Sequence, residues 1–109
     1  MMSLTVNLYY TGQNGSAKQF AAAMEAQGIA DRIRQEAGNE KYAYFIPMDD
    51  PETVMLIDQW TDQAALDRHH ASPMMQELAD LREKYDLHMR VECFVTVDDN
   101  PADEQFIRR

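Results

Sequence analysis

The chain opens with alternation. Between Leu4 and Tyr10 the apolar Val6, Leu8 and Tyr10 share one face of an extended segment and Thr5, Asn7 and Tyr9 the other, which predicts a first strand. After the Gly12-Gln-Asn-Gly15 loop the period lengthens. Ala17, Phe20, Ala21 and Met24 recur at helical spacing, and Ser16-Ala-Lys-Gln19 has the form of a capping box, in which serine and glutamine satisfy backbone amides reciprocally. Ile29 and Ile33 resume that stripe after a one-residue slip at Gly28, where a kink is expected, and Gly38-Asn39 stops the helix. Tyr42 to Pro47 is rich in aromatic and β-branched residues and reads as a second strand. Met48-Asp-Asp-Pro-Glu52 turns the chain, and Thr53 to Trp60 returns as a third.

Thr61 or Asp62 can cap a short helix that carries Ala64, Ala65 and Leu66 and closes at His69-His70. Ser72-Pro73 restarts a helix that runs to Tyr85, with Met74, Leu78, Leu81 and Tyr85 along one side and Asp80 spaced to pair with Lys84 on the surface. His88 to Val97 is the last strand, and Met89, Val91, Cys93, Val95 and Val97 share one of its faces. The predicted order is βαββαβ with the second helix split in two. That is a ferredoxin-like α+β domain over residues 1–97, one antiparallel sheet with helices on one face, followed by a polar tail at 98–109. The third strand poses a problem. Val54 and Leu56 make one of its faces apolar and Met55 and Ile57 the other, whereas the helices cover only one. A second copy packed sheet to sheet across a two-fold axis would cover the rest, so a homodimer is expected.

Composition narrows the class. With 109 residues, 45% hydrophobic and 27% charged, the chain reads as one soluble globular domain that gains from a partner subunit. The net charge of -9, from 10 basic and 19 acidic residues with no basic stripe, argues against nucleic acid and anionic membrane surfaces as partners. No apolar run approaches membrane-spanning length. Met1-Met2-Ser3-Leu4 carries no basic or signal-like stretch, so a cytoplasmic location is expected. Cys93 is the single cysteine, which rules out an internal disulfide; in an alternating strand it is expected as a small buried hydrophobe.

His69 is the first candidate for chemistry, because an imidazole titrates near neutrality and suits proton transfer. Its bland alternative is a helix-end histidine that caps carbonyls. His70 is rotated by about 100° on a helix, so the two are not expected to face one cavity. Neither has a His, Cys, Asp or Glu three or four residues on, and no metal site is expected. Asn7 interrupts an apolar strand, where its amide either meets a substrate oxygen or faces solvent. Trp60 either lines a pocket or belongs to the core. Tyr9 and Tyr44, like Tyr10 and Tyr42, supply phenols to a pocket or simply pack the sheet, and Asp58 reads as the strand's exit into solvent.

Strand, Trp60, a short helix with Ala65-Leu66, His69 nine residues beyond the tryptophan and Ser72-Pro73 opening another helix follow in an order that resembles the antibiotic biosynthesis monooxygenase family, which includes quinol monooxygenases. The likeness covers about residues 4 to 97. It implies a dimeric α+β barrel, a pocket role for His69, and an Asn on the first strand in the pocket of several members, here matched by Asn7. The haem-degrading branch places a Trp where this chain has His69 and a haem-ligating His where it has Ala79, so haem is not expected. The chain also lacks a glycine-rich phosphate loop, a G-x-S-x-G elbow and metal-ligand spacing, and no cofactor is expected. An oxygenase of this kind must draw its electrons from the substrate. The resemblance therefore implies a small aromatic or quinol-like ring that reduces dioxygen once deprotonated, with His69 and Asn7 at the reacting oxygens and Trp60, Tyr9, Tyr44 and His70 binding the ring. Two other readings stay open: an isomerase or other proton-transfer enzyme on a small carbonyl compound, and a non-enzymatic dimeric ligand-binding module.

Overall fold

The opening alternation folds as β1 (Leu4–Thr11) in a computed structural model that describes residues 3–109. It is followed by α1 (Ser16–Ala26), α2 (Ile29–Arg34), β2 (Asn39–Phe45), β3 (Thr53–Trp60), α3 (Gln63–His70), α4 (Met74–Lys84) and β4 (His88–Val95). A 3-10 helix, Pro101–Phe106, ends the chain, and its residues are all exposed. The strands run antiparallel in the order β2-β3-β1-β4, with helices on one face: a ferredoxin-like α+β fold. Among the described residues no helix is long and apolar enough to cross a membrane.

Register decides which side chains meet. Val6 faces Asp58 across the β1–β3 ladder, Leu8 faces Leu56 and Tyr10 faces Val54, so these six share the face that the helices cover. Val6, Tyr10, Tyr42, Leu56 and Trp60 are buried there against Phe20, Met24, Ile29 and Ile33, whose helical stripe was legible in the sequence. Each such side chain stabilises the fold by about 1.5–3 kcal/mol. On the opposite face Asn7, Tyr9, Ala43, Met55 and Ile57 are half-buried, and Phe45 and Phe94 are exposed.

Several local expectations change. The predicted kink is a complete break, since Gly28 takes φ 74° and caps α2. The Ser16 capping box does not form. Gly15 holds the cap position with φ 80°, its N–H donates to the Glu52 carboxylate at 3.3 Å, and the Ser16 hydroxyl accepts from Gln13 N–H at 3.0 Å. Asp62 does cap α3, accepting from Ala65 N–H at 2.8 Å. Asp80 takes the Gln76 amide at 2.8 Å instead of Lys84, whose ammonium lies 5.3 Å from the centre of the Tyr85 ring. Cys93 is exposed, contrary to expectation, because β4 is the edge strand and its helix-side face is incompletely covered.

Candidate active site

The site starts from α3. Its inward stripe is Ala65, Leu66 and His69, since positions four apart lie on one side of a helix, and His69 ends 4% exposed. Its ring stacks on Trp60 with centroids 4.9 Å apart and planes inclined by 30°. Nδ1 lies 3.0 and 3.1 Å from the two Glu36 carboxylate oxygens. A carboxylate only accepts, so Nδ1 donates to Glu36, and in the neutral ring that tautomer leaves the Nε2 lone pair free. Glu36 reaches this position because the turn before β2 runs tightly against α3. Gly38 takes φ 86°, a Cβ there would stand 2.5 Å from the Ala65 Cβ, and Gly38 O accepts from Thr61 N–H at 2.9 Å.

Asp58 sits beside this pair. It is 5% exposed, and Asn39 Nδ2 donates to its carboxylate at 3.3 Å. Burial pushes its pKa up to about 6, against the opposing pull of Trp60, His69 and Asn39. The Trp60 N–H is near enough to favour the charged carboxylate, yet it meets no acceptor in hydrogen-bond geometry and remains an unpaired buried donor. Burial likewise raises Tyr10, to about 12, and Tyr42, so both phenols stay neutral. The Tyr42 and Tyr44 hydroxyls share a hydrogen bond of 3.0 Å.

A cavity of about 280 Å³ lies between the sheet and the α3–α4 pair. Asp58, His69, Tyr10 and Tyr42 give it polar groups, Leu8, Leu56, Leu66 and Leu78 make it apolar, and Met89, Val91 and Cys93 of β4 border it. A wider and more open depression of about 590 Å³, beside Tyr9 and Asp50, contains neither His69 nor Asp58. The smaller, more enclosed and more apolar space is the better small-molecule site.

The predicted residues divide between two faces. His69 lines the cavity, and so does His70, contrary to the expectation that one cavity could not take both; His70 ends α3, and the rings are 5.7 Å apart. Asp58 also lines it, rather than marking an exit to solvent. Trp60 backs His69 without bordering the space, and Tyr44 stands behind Tyr42. Asn7 and Tyr9 are corrections. Asn7 pairs with Ile57 while its neighbour Val6 pairs with Asp58, so Asn7 points to the uncovered face and shares no pocket with His69 in the subunit. Its Oδ1 is buried there without a partner. Tyr9 lies on the same uncovered face, under the Arg90 guanidinium at 3.9 Å from the ring centre. Glu36 was missed because 33 residues separate it from His69; the turn glycine at 38 was the only local signal. Among the described residues no three His, Cys, Asp or Glu side chains converge as a metal site.

The profile of the antibiotic biosynthesis monooxygenase family matches residues 3–81, a span that includes Glu36, Asp58, Trp60 and His69. The chain belongs to that family. Structures similar to this family member include a candidate antibiotic biosynthesis monooxygenase from Deinococcus radiodurans, with TM-score 0.77, 15% identity and coverage of 89% of this chain and 95% of that one. SnoaB, a cofactor-independent oxygenase from Streptomyces nogalater, superimposes with TM-score 0.75 at 16% identity over 93% of this chain and 99% of its own. A Pseudomonas aeruginosa protein does so with TM-score 0.75 at 23% identity, over 90% and 97%. At such identities the likeness establishes the fold. No curated protein matches the chain.

Proposed function

We propose that this antibiotic biosynthesis monooxygenase family member is a cofactor-independent oxygenase of small aromatic, quinol-like compounds. The observation that supports it best is His69, held through Nδ1 by Glu36 and placed with Asp58 on a mainly apolar cavity. In this reading a ring hydroxyl gives its proton to His69 Nε2, and the Glu36 carboxylate stabilises the imidazolium that forms. The apolar walls leave the ring anion poorly solvated and electron-rich. It then reduces dioxygen directly: one oxygen atom stays on the ring, the other leaves as water, and a quinol becomes a hydroxyquinone. Trp60 holds the imidazole plane from behind. The shared fold of SnoaB is consistent with such chemistry.

The same acid and base groups also suit proton transfer without oxygen, as in an isomerase. An oxygen electrode separates the two. Uptake is expected with hydroquinone-type substrates and no turnover anaerobically; His69→Ala should lower the rate about 10²–10⁴-fold while circular dichroism stays unchanged. Equal uptake by the variant removes His69 from the mechanism, and anaerobic turnover favours the isomerase.

A further inference from the structure

We infer that the ring accepted by this cavity carries a carboxylate, and that Arg82 on α4 is the residue that grips it; the inference rests on the reading above for placing the hydroxyl at His69. Arg82 lines the cavity and is half-buried. Its Nε donates to the Leu78 carbonyl at a long 3.4 Å, and its Nη1 lies 3.1 Å from Met89 Sδ, a weak acceptor. Among the described residues no carboxylate lies within ion-pair distance of it. Arg32, Arg34, Arg90 and Arg109 have acidic partners; Arg68 and Arg108 have none either, but both are exposed, whereas Arg82 is half-buried.

A half-buried guanidinium without a counter-charge is costly, and its planar fork matches a carboxylate through two parallel hydrogen bonds. The cavity has a second charge of opposite sign. Asp58 repels an anion from its own end, so a hydroxylated ring acid fits one way only, hydroxyl toward Asp58 and His69 and carboxylate toward Arg82. A volume of about 280 Å³ lies at the small end for ligand sites, which suits a single substituted ring.

The test is a matched pair of probes, 4-hydroxybenzoate and its uncharged methyl ester, titrated calorimetrically without oxygen. The wild-type protein is expected to bind the acid at least about tenfold tighter than the ester, because only the acid offers the guanidinium a charge-assisted pair. Added salt should narrow that ratio. Arg82→Gln should bring the acid down to the ester's affinity and leave the ester unchanged, and Arg82→Lys should fall between. The assignment is overturned if neither probe binds, if the wild type binds both alike or prefers the ester, or if a folded Arg82→Gln weakens both equally. Oxygen uptake with uncharged hydroquinone tests the underlying reading separately. Uptake without acid preference removes the Arg82 site alone; acid preference without uptake by any quinol, acid or neutral, removes the oxygenase and keeps the anion site.

Discussion

Asp58 shows how far one side chain's surroundings depart from its sequence neighbourhood. Two positions before a strand-ending tryptophan, it reads as a residue on its way to water, yet the turn before β2 and helix α3 close over it. Burial raises its pKa from 3.8 to about 6, so the folded chain binds this proton more tightly than the unfolded chain does. The sign follows: the favourable contribution is complete below pH 3.8 and is lost as pH rises through about 6, leaving at neutral pH a penalty of up to about 3 kcal/mol. Asp58→Asn should therefore stabilise the protein at pH 8 by up to that amount and give no gain below pH 4, measured by urea unfolding. A gain that persists in acid would mean that something other than desolvation is at work. His69 was legible as a chemical group because helical periodicity put it on the inward stripe. Glu36 was not, since only tertiary folding brings the turn before β2 to it. Asn7 was read on the right face, with Thr5 and Tyr9; what strand alternation does not reveal is that α3 brings His69 to the other face, that of Val6, Leu8 and Tyr10.

Among the elements, the turn before β2 has the tightest steric demand. Gly38 combines a positive φ with a close approach to α3, so Gly38→Ala should cost about 2–4 kcal/mol in chemical denaturation and draw Glu36 away from His69. Full stability in that variant would show that the turn yields without strain. The order of elements was readable because each hydrophobic period is strong: α1, α2 and α4 by their stripes, β1 and β3 by alternation. Their ends were less so. β2 begins at Asn39 rather than Tyr42, since polar Asn39 and Lys41 pair with Trp60 and Gln59 across a bulge that aromatic content does not announce. The Ser16 capping box failed because its groups are engaged elsewhere: the Ser16 hydroxyl accepts from Gln13 N–H, the Ser16 N–H donates to Gln13 O, and Gln19 N–H donates to Gly15 O.

For the molecule as a whole, the uncovered sheet face is the part of the surface least suited to water. It presents Met55 and Ile57 in the middle of the sheet, exposed Phe45 and Phe94 at its sides, and the orphan Asn7 oxygen among them. A buried acceptor without a donor is uncommon, and an apolar sheet face in water is unfavourable. We propose a homodimer through this face. Light scattering should give twice the chain mass at micromolar concentration, and Ile57→Lys should weaken association by at least about 100-fold while ligand binding in the cavity survives, because a lysine charge at the centre of the contact is left without water. A folded wild-type monomer at that concentration would refute the dimer and leave the cavity chemistry untouched.

Strand β3 is where these threads cross. Of its even-numbered positions Leu56 and Asp58 line the cavity and Trp60 backs His69, whereas its odd-numbered ones, Met55, Ile57 and Gln59, lie on the uncovered face. Adjacent codons thus govern separate properties. An engineer wishing to alter the cavity without disturbing the outer face, or the reverse, need only choose between odd and even, while a single-residue insertion within this strand would exchange the two sides at a stroke.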